Sequence, residues 1–149
     1  LIHFLRRPAP MPPVQFYEQL DPAVFVLRLV PGMRADIIPL LAPHYRALVV
    51  ESFGVGGLPG GEHGEMYARL QDWCTSGRLA VFTTQVPHEG CDLAVYEVGR
   101  SVKELPGVLE AKDMTPEAVA VKLMWALGQT TDRAEAMRLF TTPVEWDIV

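Results

Sequence analysis

Three near-continuous apolar runs organise this chain: VFVLRLV (24–30), ALVVESF (47–53) and LAVFTT (79–84). Each is short, rich in Val, Leu and Phe, and free of strict polar alternation. Strands covered on both faces have this pattern, and parallel sheets sandwiched between helices produce it. The gaps agree. Parallel strands need a crossover of about a dozen residues or more, and the intervals from Val30 to Ala47 and from Phe53 to Leu79 each have room for a returning helix.

The first gap holds RADIIPLLAPHY, a short helix after the Pro31-Gly32 turn, with Pro39 limiting its regularity. The second holds EHGEMYARLQDWCTSG, where Met66, Leu70 and Trp73 fall at helical spacing and Gly77 sits where a left-handed cap belongs. A fourth strand, GVLEA (107–111), is expected before the clearest helix, TPEAVAVKLMWALGQ (115–129). Thr115 can cap that helix, Pro116 suits its first turn, and Gly128 can end it. A last helix begins at Asp132, with Glu135 at capping-box spacing. The predicted order, βαβαβ and then βαα, describes one α/β unit: three α/β/α layers, Rossmann-like, around a small parallel sheet of about four strands. Residues 1–22, rich in proline, read as a linker or amino-terminal extension, and residues 23–149 as the domain. No internal repeat is present.

Composition narrows the function. With 149 residues, 49% of them apolar, the chain can bury a core of its own, so disorder is not expected. The net charge of −5 is spread through interspersed signs, with no basic stripe for a nucleic-acid backbone. No stretch approaches the roughly 20 uncharged apolar residues of a membrane helix. The amino terminus has no small-residue cleavage site after an apolar core, so a signal peptide is not expected; the lack of an initiator Met points to a piece of something longer. Two cysteines, Cys74 and Cys91, are too few for a disulfide framework and read as free thiols in a reducing cytoplasm.

The glycine-rich loop after the second run, from Gly54 to Gly61, invites a phosphate-binding reading that its details refuse. The dinucleotide fingerprint needs a third glycine opening a helix, and here Pro59 follows Leu58, removing a backbone donor. A nucleotide-hydrolase loop ends in Gly-Lys-Ser/Thr, whereas Gly60-Gly61 runs into Glu62. Either the glycines only permit a tight turn, or they shape a functional edge, because ligands gather at the carboxyl ends of strands in open α/β sheets. A second loop, TTQVPHEGCDLAVYEVG (83–99), leaves the next strand with hydroxyls, an amide, His88 and three carboxylates, a set suited to a small polar molecule. His88 and Cys91 lack the matched second pair that structural zinc requires, and EGCDL carries no nucleophile signature. No metal or cofactor is expected. Trp73 and Trp125 lie on apolar helical faces and read as core, and Lys122 reads better as a snorkelling surface lysine than as a catalytic amine.

At these same stretches the sequence resembles the C-terminal domain of bacterial and archaeal L-asparaginases, the asparaginase/glutaminase family, of the cytosolic kind. The residues that carry the resemblance are ALVVESFGVGGLP (47–59), VFTTQVPHEGCDLAVYEVGR (81–100) and DMTPEAVAVKLMWALGQTTD (113–132), within residues 22–142 and in the expected order. The resemblance implies a two-domain subunit in which an amino-terminal domain, not in this chain, supplies the threonine nucleophile, a second threonine and a Lys-Asp pair. Such enzymes attack the side-chain amide of asparagine, form an acyl-enzyme, and release aspartate and ammonia. This domain would then serve dimerisation, in a homodimer or homotetramer, and bring its glycine loop near a neighbouring subunit's active site. Alone it would be inactive.

Residue by residue the carry-over is partial. Where the family often has an Asn that helps hold the neighbour's substrate, this chain has Gly57. Glu97 is the candidate for the acidic residue that meets the substrate's amino group. Some cytosolic members bind an effector asparagine in this domain. Thr84 matches that pocket's threonine, but Glu51 stands in place of an Arg and Val86 in place of a Cys. Losing the guanidinium removes the bidentate partner of the effector's carboxylate, so no allosteric site is expected. Two other readings stay open: a free-standing asparagine or aspartate sensor, and the related domain of an archaeal tRNA-dependent amidotransferase.

Overall fold

The structure, a computed structural model, describes residues 13–54, 56–60, 64–86, 90–95, 97–144 and 147–148. Along them run β1 (Val24–Arg28), α1 (Ile37–Leu41), β2 (Ala47–Ser52), α2 (Glu65–Thr75), β3 (Leu79–Thr84), α3 (Glu97–Lys103), β4 (Val108–Glu110), α4 (Pro116–Gln129) and α5 (Arg133–Thr141). The four strands form one sheet in the order β1-β2-β3-β4, and every pairing is parallel. The expected α/β class and small parallel sheet are therefore present.

Strand order decides where the helices go. Each step from β1 to β4 moves one place in the same direction, and right-handed crossovers then put α1, α2 and α3 on a single face. The other face must be covered by α4 and α5, the two helices after β4. The core obeys this division. On one side Leu48, Val50, Ala80 and Phe82 pack with Ile38, Leu70, Trp73 and Val102; on the other, Ala47, Val49 and Val81 pack with Val119, Leu123 and Phe140. Consecutive strand residues alternate between the two cores, as a pleat requires. All six residues of β2 and all six of β3 are buried, which is why those runs carry no polar alternation. β1 and β4 are edge strands. The expectation of burial on both faces fails for β1, an edge strand among the described residues, where Val26 is 41% exposed.

Several helix ends obey local chemistry. Gly77 takes a left-handed φ of 93° just past α2, as the sequence predicts. The Thr115 hydroxyl accepts from the Ala118 N–H to cap α4. Asp132 caps α5 by accepting from the Glu135 N–H at 2.7 Å, but the Glu135 carboxylate completes no capping box, since Arg138 donates to it twice. Gly128 is not the end of α4, which runs on to Gln129. Its reason is clearance: a Cβ there would lie 2.5 Å from the Gln19 carbonyl oxygen. The main chain before the domain crosses α4 at this point, with Gln129 Nε2 donating to the same oxygen at 2.9 Å and Tyr17 set edge-on to Trp125.

Two features depart from the sequence reading. Residues 97–103 form a helix that begins within the segment 83–99 read as a loop, a seven-residue element too short to show an apolar period. Lys122 does not snorkel. It is 7% exposed, paired with Asp147 at 2.7 Å, and donates to the Thr142 carbonyl at 2.9 Å, so it ties the chain beyond α5 back onto α4. Replacing Asp147 by Asn leaves a buried ammonium without its counter-ion, and the expected loss is about 3 kcal/mol. Urea unfolding checks this: the midpoint falls and the slope is unchanged; an unmoved midpoint contradicts the assignment.

Candidate functional site

A parallel sheet aims all its strand carboxyl ends at one edge, and here that edge is where the strands turn polar. The pairing register aligns Arg28, Glu51 and Thr83 in one row across β1, β2 and β3. By the period of two, Glu51 joins Ala47 and Val49 on the α4 face. Arg28, Glu51 and Thr83, with Thr84, Gln85, Val86, Asp113 and Glu117, line an open cavity of about 350 Å³ beside the start of α4.

The polar groups along this edge are bonded to one another. Arg28 Nη1 donates to Glu51 Oε2 at 3.1 Å, where the Glu51 side chain is 11% exposed. The Gln85 amide donates to the Leu29 carbonyl at 2.7 Å and to the Glu51 carbonyl at 2.9 Å, joining the chain after β1 and β2 to the end of β3. Ser52 Oγ donates to the Thr83 carbonyl at 2.8 Å. The Thr84 hydroxyl donates to the Gly54 carbonyl and accepts from the Val86 N–H. Each such bond contributes only about 1 kcal/mol, but leaving one of these groups unpaired costs more. The edge is thus rigid before any ligand arrives.

The glycine loop is closed on itself. Phe53 and Gly57 form an antiparallel bridge: the Phe53 N–H donates to the Gly57 carbonyl at 3.0 Å, and the Gly57 and Gly56 N–H groups both donate to the Phe53 carbonyl, at 2.7 and 3.1 Å. Those donors are spent inside the turn, so the Gly56 and Gly57 N–H groups are not free to cradle a phosphate. A Cβ at Gly57 would lie 3.2 Å from the Phe53 carbonyl oxygen, so the backbone here leaves little room for a side chain. A Cβ at Gly56 would press on Leu93, so this loop and the turn at Asp92–Leu93 lie against each other.

The structure therefore leaves the sequence candidates in three places. Glu51, Thr84 and Val86 share the strand-end cavity. Gly57 belongs to the loop beside it, and Glu97 is exposed at the first residue of α3. His88 and His63 lie outside the described residues. Arg28, Asp113 and Glu117 went unnoticed in the sequence. Arg28 did leave a signal, a charge inside the run VFVLRLV. At the foot of the same edge Lys103 Nζ pairs with Glu110 at 2.8 Å; that hydrogen bond holds the ammonium above its usual titration range.

Comparison with known proteins gives a consistent picture. The sequence profile described as the Glutaminase/Asparaginase C-terminal domain matches residues 23–140. An L-asparaginase from Thermococcus kodakarensis is 37% identical over 133 residues, 89% of this chain and 40% of that protein. A Glutamyl-tRNA(Gln) amidotransferase chain from Metallosphaera sedula is 35% identical over 130 residues, 87% of this chain and 28% of that protein. The solved structure of the thermostable L-asparaginase from Thermococcus kodakarensis superposes with a TM-score of 0.85 at 34% identity, covering 97% of this chain and 44% of that one. This chain thus spans less than half the length of these relatives.

Both cysteines are buried, and burial raises the Cys74 thiol to about 11 and the Cys91 thiol to about 12. A thiolate is the nucleophile, and neither group ionises near neutral pH. Neither Cys74 nor Cys91 is therefore expected to react with a maleimide at pH 7 until denaturant is added. Mass spectrometry after labelling checks this, and modification of either in the folded chain contradicts the burial.

Proposed function

This chain belongs to the glutaminase/asparaginase C-terminal domain family, and on that premise we propose that it is the carboxyl-terminal unit of a cytoplasmic L-asparaginase. The whole protein converts L-asparagine to L-aspartate and ammonia, with the nucleophile and its activating groups on an amino-terminal domain. The observation that carries the reading is the 37% identity to an L-asparaginase of which this chain spans 40%. The unit contributes to a homodimer or homotetramer, and its glycine loop approaches a neighbouring subunit's active site. A loop whose Gly56 and Gly57 N–H groups already serve Phe53 suits shape and docking better than anion capture. Glu97, exposed at the start of α3, supplies a carboxylate for the ammonium of the substrate. Gly57 offers backbone alone.

The strand-end cavity is not an asparagine effector site in this reading. Glu51, Asp113 and Glu117 set three carboxylates against the single guanidinium of Arg28, which Glu51 already holds. An incoming carboxylate meets repulsion there. The alternative is a place in a tRNA-dependent amidotransferase. It draws on the 35% identity to such a protein and expects a longer amino-terminal portion, since this chain spans only 28% of it.

One set of preparations tests these claims. The chain alone is expected to release no ammonia from asparagine above blank and to show no thermal stabilisation by millimolar asparagine. Joined to an amino-terminal family domain it is expected to turn over, and Glu97→Gln in that protein lowers kcat/KM by about tenfold or more. Turnover by the chain alone overturns the division of labour. A ligand-dependent rise in Tm of the chain overturns the exclusion of the effector, and unchanged kinetics in Glu97→Gln remove Glu97 from the site.

A further inference from the structure

The opposite edge of the sheet, where the strands begin, carries a second cavity of about 360 Å³. Its wall holds Arg46, Arg78, Arg133 and His44, with the hydroxyls of Ser76 and Thr131 beside them. The chain as a whole is acidic, at −5, yet three arginines converge here and the paired acid among the described residues is Asp21, which Arg46 contacts at 2.5 Å. Asp132, next to Arg133, spends its carboxylate capping α5.

The ordinary explanation for arginines at this edge is that helices end here, and a cation suits the carbonyl end of a helix. It accounts for two of them. Arg78 Nη2 donates to the Ala42 carbonyl just past α1 at 2.8 Å, Nε donates to the Tyr45 carbonyl, Nη1 donates to Ser76, and the guanidinium lies 5.2 Å over the Trp73 ring. Arg46 reaches the Leu127 carbonyl near the end of α4 at 3.5 Å. All of those acceptors are neutral, so among the described residues the charge of Arg78 has no counter-ion.

Arg133 fits no such explanation. It is the first residue of α5, the end of a helix where a cation is disfavoured. Among the described residues it forms no ion pair or hydrogen bond, and its guanidinium is laid against Gly107, where a Cβ would collide with it. A cation placed at the wrong end of a helix, beside two more guanidinium groups and the Thr131 hydroxyl, is what an anion would stabilise.

We propose that this cavity binds a small phosphate-type dianion, with Arg133 as its direct charged partner, the positive charge of Arg78 beside it and Thr131 as a hydroxyl donor. The volume exceeds that of inorganic phosphate alone, so a phosphate monoester fits the same chemistry. The site lies across the sheet from the strand-end cavity and is independent of the asparaginase reading.

Amide NMR titration of this chain with inorganic phosphate, at ionic strength fixed with chloride, tests the proposal. Saturable shifts are expected at Gly77 and Thr131. Arg133→Ala is expected to weaken binding by about tenfold or more, since hydrogen bonds to charged groups carry at least that much. Arg34→Ala, an exposed arginine paired with Asp36 away from this cavity, leaves it unchanged. Glycerol phosphate titrated in parallel distinguishes a site for the free ion from one for an ester. Shifts that chloride reproduces, no saturation at tens of millimolar phosphate, or parent-like binding by Arg133→Ala would each overturn the proposal. If Arg133→Ala fails to fold, Arg133→Lys decides: a several-fold loss upholds the site, and unaltered affinity removes it.

Discussion

The parallel ladder between β2 and β3 is the constraint on which the rest depends. Two strands paired along their whole length and buried on both faces have no water to satisfy their backbone groups, so each must find its partner in register. Once Ala47 to Ser52 lie beside Leu79 to Thr84, the connection between them has to cross over, and handedness sends it to one face. The same logic, repeated for β1 and β4, leaves the opposite face bare until α4 and α5 close it. The long apolar helix α4 then has one place to go, and Lys122 inside it fixes the chain beyond α5 through Asp147.

A parallel sheet also sorts chemistry by end. Strand carboxyl ends collect Arg28, Glu51, Thr83 and Thr84; strand amino ends collect Arg46, Arg78 and Arg133 near helix termini. At the first edge the polar groups already satisfy one another, and the glycine turn consumes its own donors on Phe53. That is the chemistry of a rigid scaffold. Family membership gives the scaffold a context, because this chain spans only 40% and 28% of two of the relatives it matches.

Much of the fold is legible in apolar runs and caps. Strands of uninterrupted Val, Leu and Phe, Thr115 and Asp132 as caps, and Gly77 past α2 each act through local rules, and local rules are visible in a sequence. The features that escape depend on distant partners. Gly128 looks like a helix terminator until the main chain at Gln19 is seen pressing on it. Lys122 looks like a surface residue because its counter-ion is Asp147, brought near only by the turn after α5. The α3 helix is too short for periodicity to register. In the site, Thr84 and Glu51 can be picked out, but not the pairing of Glu51 with Arg28, which exists only through the β1–β2 register.

Native-state hydrogen exchange tests the central claim most directly. If the β2–β3 ladder holds the molecule together, the amides of Val49, Val50, Val81 and Phe82 exchange only through global unfolding, with the free energy that denaturant unfolding gives. Amides of the edge strand β4 and of α5 then exchange through smaller, local openings. Exchange of the β2 and β3 amides as rapid as that of β4, or protection greatest in α4 and α5 while the sheet opens, would contradict the account.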